Sequence, residues 1–317
     1  METGKKNQSI IAVTVVNILA VFFAGAFAFP VFFYNESSAS LPVEEISKTT
    51  LPDPFVSLTL QAESAYVYDT VTGETLYAKN EQAQLPLASV TKVMTALVAS
   101  SVPENTRVNV SAADVANGAG GLAEGESWNL KNLLNYTLVI SSNSGAHAIA
   151  GAAGAVFQDA NGWSGESEDV FIYEMNETAK KLGMSQTFYL NPSGLDENAE
   201  LSGAYGSAKD MTTLFGHILK NKPTLLSATT NEALRFNSLD GVSHLAVNTN
   251  TIAGTVPGLM ASKTGYTDLA NGNLVIAFDV GPMHPVIVAV LGSTQEGRFT
   301  DVEKLVNATI KKISQGE

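Results

Sequence analysis

Residues 260–291 read MASKTGYTDLANGNLVIAFDVGPMHPVIVAVL, three apolar runs separated by two short polar segments. Met260–Thr264, Leu274–Phe278 and Pro285–Leu291 have the length and β-branched content of strands, and short turns join them. Strands joined so closely pair as antiparallel neighbours. Near the other end, Ala65–Tyr68 and Glu74–Tyr77 flank Asp69-Thr-Val-Thr-Gly73, a strand, a glycine turn and a second strand. Between these two strand regions the apolar spacing becomes helical. Helices are expected over Ser89–Ala99, Leu130–Ile140, His147–Val156, Val170–Leu182 and Lys209–Lys220, with a closing helix over Asp301–Ile313. Strands at both ends with helices between them imply an α+β fold, a mainly antiparallel sheet flanked by helices plus a helical subdomain.

The chain has 317 residues and a formal charge of 18 − 31 = −13. So acidic a surface repels phosphate and argues against nucleic-acid binding. There is no cysteine, which excludes disulfides, thiolate metal sites and cysteine nucleophiles. Four scattered histidines make a histidine metal centre a poor expectation. His147 and His217 are read as core or boundary residues of helices, and His244 and His284 lie near loops. No metal or organic cofactor is expected.

Ser9–Tyr34 reads SIIAVTVVNILAVFFAGAFAFPVFFY, uncharged and long enough to cross a bilayer as a helix. Lys5 and Lys6 precede it, which places residues 1–8 in the cytoplasm. We expect a single-pass anchor over 9–34; the alternative is a signal peptide cut after Ala26-Phe27-Ala28. Either way the remainder lies outside the cytoplasmic membrane. Residues 35–57, rich in Ser, Pro, Glu and Thr, read as a flexible linker. From residue 58 to 317 no composition break appears, so one domain is expected.

Three short patterns carry chemistry. In Ser89-Val-Thr-Lys92 the hydroxyl and amine share one face of a helix, and a serine becomes nucleophilic when a neighbouring base takes its proton. Lys92 also interrupts an apolar run, where a lysine needs a buried partner or a function. Ser141-Ser-Asn143 lies in a polar break between two apolar helices, so its hydroxyl and amide are placed to face a cleft; read alone, the pair is a helix cap. Ser127-Trp-Asn129 repeats the pattern at a helix start and reads as a cap. Lys263-Thr264-Gly265 sets a cation, a hydroxyl and a glycine at a strand end, a combination suited to a carboxylate.

Ser-x-x-Lys, Ser-x-Asn and Lys-Thr-Gly in this order are shared by β-lactamases and penicillin-binding proteins. Further matching stretches are Tyr68-Asp-Thr-Val-Thr-Gly-Glu74, Pro86-Leu-Ala-Ser-Val-Thr-Lys-Val-Met-Thr95, Asn191-Pro-Ser-Gly-Leu195, Asn248-Thr-Asn250 and Gly265-Tyr-Thr-Asp268. On these residues the chain resembles the bacterial serine D-Ala-D-Ala carboxypeptidases, the low-molecular-mass penicillin-binding proteins. The resemblance implies the serine β-lactamase/DD-peptidase-like fold. It implies Ser89 as the nucleophile and Lys92 as its base, kept neutral in part by Lys263. Ser141 and Asn143 would deliver a proton to the leaving D-alanine and hold the substrate amide. Lys263 and Thr264 would meet the terminal carboxylate, with Arg298 a further candidate, and the N–H groups of Ser89 and Tyr266 would form the oxyanion hole. Peptidoglycan stem peptides are the implied substrates, β-lactams the implied covalent inhibitors, and the membrane a partner through the N-terminal helix.

The chain departs from relatives at Ser144, where many carry aspartate, and at Gly206-Ser-Ala-Lys-Asp210, where Ser-Thr-Ala-Arg-Asp is common. The β-rich C-terminal domain and tail helix of many relatives are also expected to be absent, with the N-terminal anchor in their place. Three other readings compete. They are a DD-endopeptidase, a class A β-lactamase (for which no Glu-x-x-Leu-Asn segment follows the Ser-x-Asn motif), and a non-catalytic wall-binding or β-lactam-sensing module.

Overall fold

The computed structural model describes residues 51–118 and 120–316. The anchor expected over 9–34 and most of the expected linker lie outside the described residues. Among the described residues no helix is long and apolar enough to cross a membrane.

Five strands form the main sheet: β1 (Ser64–Asp69), β2 (Thr75–Lys79), β3 (Leu259–Thr267), β4 (Asn271–Asp279) and β5 (Pro285–Ser293). Their order is β3-β4-β5-β1-β2 and every pairing is antiparallel, as the short turns predict. The helices are α1 (Lys92–Ala99), α2 (Ala112–Ala116), α3 (Leu130–Ile140), α4 (Asn143–Asn161), α5 (Ser167–Lys181), α6 (Ala208–Asn221) and α7 (Gly297–Gly316). A separate hairpin pairs Ala233–Asn237 with Ser243–Val247. The expected helix over His147–Val156 starts four residues earlier and ends five later. The polar break before it shrinks to Ser141 and Ser142, because Ser142 caps α4 by accepting from the Gly145 N–H at 3.0 Å.

Period-two alternation divides the sheet between two cores. Val286, Val288 and Val290 of β5 pack toward α7 with Val302, Leu305 and Phe299, while Ile287, Ala289 and Leu291 face the core of α1, α3 and α6. Both faces are covered, which explains why β4 and β5 read as unbroken apolar runs. The folded body also starts earlier than residue 58. Phe55 is buried and stacks on Tyr77 at 5.5 Å, and Asp53 pairs with Lys312 at 2.7 Å. Phe55 follows two prolines and sits beside Val56, so no helical or strand periodicity marks it.

Asp301, fully buried, fastens α7 to the sheet. Its carboxylate accepts from the N–H groups of Gln61 (3.1 Å) and Ala62 (2.8 Å) and from Ser293 Oγ (2.9 Å). Asp301→Ala strands these donors in the interior, and we expect a loss of about 2–4 kcal/mol. Urea denaturation of the variant measures it.

Candidate active site

The turn bearing Ser89 is held from three sides. Residues Ala88–Thr91 form a single 3-10 turn that runs into α1. Before it, the buried Asn273 of β4 donates from Nδ2 to the Pro86 carbonyl at 3.0 Å, and Leu87 N–H donates to the Ala204 carbonyl at 3.0 Å. Ala88 adopts φ +46°, a left-handed conformation that costs a non-glycine residue energy. Gly194, at φ +75°, presses against it: a Cβ there would lie 1.9 Å from the Ala88 carbonyl oxygen. Only glycine meets both requirements at 194.

Ser89 is half-buried, but Lys92 on the next turn is only 1% exposed. Lys92 Nζ lies 2.8 Å from Ser89 Oγ, 2.7 Å from Asn143 Oδ1 and 2.8 Å from the Ser193 carbonyl oxygen. Burial, and then the nearby Lys263 ammonium, hold the Lys92 amine well below the ordinary lysine range. A neutral amine has two N–H groups and one lone pair. Asn143 Oδ1 and the Ser193 carbonyl can only accept, so they take the two hydrogens. The lone pair is left facing the Ser89 hydroxyl.

Ser141 closes α3 in the left-handed conformation at φ +66°, and Ser142 opens α4. The Ser-x-Asn motif is therefore the elbow between two helices, with Ser141 as the C-cap of α3 and Ser142 as the N-cap of α4. That elbow turns Ser141 Oγ toward Lys263 Nζ, which donates to it at 2.9 Å, and Asn143 toward Lys92. Ser144 is buried with its hydroxyl 3.2 Å from Ser142 Oγ. Gly120 packs over this pair so tightly that a Cβ would lie 2.1 and 2.3 Å from the two hydroxyl oxygens.

Lys263, Thr264, Gly265 and Tyr266 line up on β3, the edge strand of the sheet, whose strand partner is β4 alone. Lys263 is buried and also donates to the Thr264 carbonyl at 2.8 Å; burial, and then Arg298, bring its amine down to about 7. Thr264 Oγ1 meets Thr249 Oγ1 at 2.5 Å. A Cβ on Gly265 would lie 2.8 Å from the Leu87 carbonyl oxygen and 3.2 Å from Ser89 N, so glycine lets the strand close onto the serine turn. Tyr266 is exposed at the strand end. Arg298 is buried, donates from Nη1 to the Gly265 carbonyl at 2.8 Å, and keeps an Nε without a partner.

The fold thus sets two hydrogen-bonded groups, Ser89 with Lys92 and Asn143, and Ser141 with Lys263, in one array whose two amines repel each other, with Thr264, Gly265 and Tyr266 alongside and Arg298 fixed to the strand's main chain. Ser127-Trp-Asn129 stays apart as a cap, Asn129 accepting from the Asn132 N–H at 2.8 Å. Three histidines have acidic partners away from the array: His147 with Glu168, His244 with Glu126 and His284 with Asp69. Among the described residues no group of His, Asp and Glu is arranged to hold a metal. Sequence reasoning gave no role to the Ser193 carbonyl or to Thr249, though both fall in stretches noted for their resemblance. Asn191 is the signal for the first, since its Oδ1 accepts from the N–H groups of Ser193 (3.1 Å) and Gly194 (2.7 Å) and folds that turn onto Lys92.

Comparison with known proteins identifies the family. Residues 48–295 match the D-alanyl-D-alanine carboxypeptidase family. The chain belongs to that family. It is 31% identical over 256 residues to the D-alanyl-D-alanine carboxypeptidase DacF of Bacillus subtilis, covering 78% of this chain and 61% of that protein. It is 30% identical over 239 residues to a D-alanyl-D-alanine carboxypeptidase of Mycobacterium tuberculosis, covering 74% of this chain and 77% of the relative. Among solved structures, a D-alanyl-D-alanine carboxypeptidase from M. tuberculosis superposes with TM-score 0.68 at 25% identity, covering 83% of this chain and 95% of the other. An ampicillin-bound penicillin-binding protein from Listeria monocytogenes superposes with TM-score 0.64 at 28% identity, covering 79% and 98%. The DD-peptidase-like α+β fold expected from the motifs is the fold of this family.

Proposed function

We propose that the chain is a serine D-Ala-D-Ala carboxypeptidase that removes the terminal D-alanine from peptidoglycan stem peptides and is acylated by penicillins. The observation that carries this reading is the Lys92 amine, neutralised by burial, its hydrogens taken by two oxygens and its third direction aimed at Ser89 Oγ 2.8 Å away. The peptide lies along the open edge of β3, where main-chain groups complete its hydrogen bonds. Lys263 and Thr264 receive its terminal carboxylate, and Arg298 holds the Gly265 carbonyl beneath it. Lys92 takes the Ser89 proton as Oγ attacks the carbonyl carbon. The oxyanion forms against the N–H groups of Ser89 and Tyr266. Ser141, bonded to Lys263, passes a proton to the departing amine, and Asn143 holds the substrate amide. D-Alanine leaves, and a water activated by Lys92 releases the shortened peptide from Ser89. The apolar run 9–34 supports an anchor that places this chemistry outside the cytoplasmic membrane, with the polar segment after it as a tether.

Intact-mass measurement after incubation with benzylpenicillin tests the reading. We expect one stable adduct, localised by digestion to the peptide containing Ser89, and free D-alanine from a monomeric pentapeptide. An unmodified protein beside intact penicillin would refute it. An unmodified protein beside hydrolysed penicillin would make the chain a β-lactamase. A Pseudomonas aeruginosa D-alanyl-D-alanine endopeptidase is 26% identical, covering 80% of each chain, so cross-linked dimers belong in the same assay. Conversion of dimers to monomers without D-alanine release would replace carboxypeptidase by endopeptidase.

A further inference from the structure

The far end of α4 presents an aromatic pair to solvent. Trp163 is 39% exposed and Tyr173 is 53% exposed, and their rings meet edge to face with centroids 5.6 Å apart. Two adjoining exposed rings make an apolar patch, and the chain's other tryptophan, Trp128, is fully buried. The loop between α4 and α5 is braced. Gly162 ends α4 at φ +66°, and its N–H and that of Trp163 (3.2 Å) both donate to the Gln158 carbonyl. The Gln158 side chain donates to the Gly165 carbonyl at 2.7 Å and accepts from Ser167 Oγ at 2.6 Å. Gly154 lets the two helices close behind the loop, since a Cβ there would lie 1.8 Å from the Ser167 carbonyl oxygen.

Beside the rings is an open depression of about 460 Å³ bordered by Trp163, Gly165, Glu166, Asp169 and Tyr173. Neither carboxylate has a hydrogen-bond or ion-pair partner among the described residues. Asp169 lies in the first turn of α5, where the helix dipole favours its charge. A sugar ring offers what this arrangement lacks: an apolar C–H face for the aromatic wall and hydroxyl hydrogens for acceptor-only carboxylates. The same carboxylates repel phosphate and other anions.

We propose that Trp163, Tyr173, Glu166 and Asp169 form an exosite for the glycan strand of the cell wall, a reading that rests on the proposed function. The 19 residues of α4 separate this site from Asn143 by about 28 Å. A fully extended five-residue peptide spans only about 17 Å. The exosite therefore grips the strand away from the sugar whose peptide is being cut, and it acts on polymeric wall and not on short peptides.

The test uses the full chain in detergent, with neutral N-acetylglucosamine oligomers as the glycan probe, since stripping the peptides from wall strands would leave a carboxylate on every second sugar. Because Trp128 is buried, the emission of Trp163 reports binding; we expect a saturable change, and Tyr173→Ala and Glu166→Gln should each weaken it roughly tenfold. Trp163→Ala should leave penicillin acylation and D-alanine release from a soluble pentapeptide unchanged while slowing release from intact polymeric wall; Trp163→Phe should restore it. No saturable response to glycan, a response to a lysine amide in its place, or an unchanged ratio of polymer to peptide activity in Trp163→Ala would each overturn the proposal. Saturable glycan binding by a chain that penicillin does not acylate would sustain the exosite and refute the catalytic reading.

Discussion

Lys92→Met will slow acylation by benzylpenicillin roughly 10³-fold without unfolding the chain. Methionine keeps the length and volume of the side chain, and position 92 lies in a fully buried helix, so packing survives. What is lost is the lone pair facing Ser89 Oγ. The pH profile separates this role from a merely structural one. In the wild type the amine works only when neutral, so acylation should fall as pH drops through the depressed titration of Lys92. Lys263 pushes on Lys92, and Arg298 pushes on Lys263, so both buried amines are held below the ordinary lysine range. The residual activity of Lys92→Met should have no acid limb from this group. Stopped-flow acylation across the pH range measures both, and a variant that keeps the wild-type rate would remove Lys92 from the mechanism.

How far the sequence revealed this site depends on which atoms are involved. Ser89 and Lys92 are three residues apart on one helix face, so their contact follows from helix geometry alone. Ser141, Asn143 and Lys263 lie far along the chain, and only their order, matched to a family, brought them into one site. The Ser193 carbonyl is harder still, because every residue has a carbonyl and nothing in the side chain shows where it points. The same limit explains Ser144: its hydroxyl is legible, but its burial beneath Gly120 depends on a loop whose shape no periodicity encodes. In the fold, β4 and β5 were read easily because long apolar runs exclude other choices. The hairpin 233–247 is harder to read, since in Ser243–Val247 the apolar Leu245 and Val247 are the exposed residues and the polar His244 is turned inward. Helix α4 is longer than its apolar run because its ends, Asn143–Ala146 and Phe157–Asn161, are mostly polar and carry no apolar periodicity.

Lys263→Met should weaken the reaction of carboxylate-bearing peptides by roughly 10- to 100-fold, the loss of a charge-assisted hydrogen bond. It should also reshape the pH profile at both ends. Lys263 must be protonated to receive a carboxylate, so the free wild-type enzyme should have an alkaline limb near its value of about 7, and the variant should lack it. Removing the positive charge next to Lys92 raises the titration of Lys92, so the acid limb should move to higher pH. Stability should change in the opposite direction to activity. In the unfolded chain Lys263 returns to 10.5, so between about 7 and 10.5 the unfolded state holds a proton that the folded state has released. Wild-type stability therefore rises with pH through that window, and below it the cost of burying the ammonium is felt in full. Methionine carries no such cost. Urea midpoints at about pH 6 and about pH 9 should show the variant more stable than wild type, with the larger gain at the lower pH. Burying the Lys263 ammonium where it would receive a carboxylate gives up stability for the proposed function. Equal midpoints together with an unshifted profile would mean that Lys263 bears no such strain.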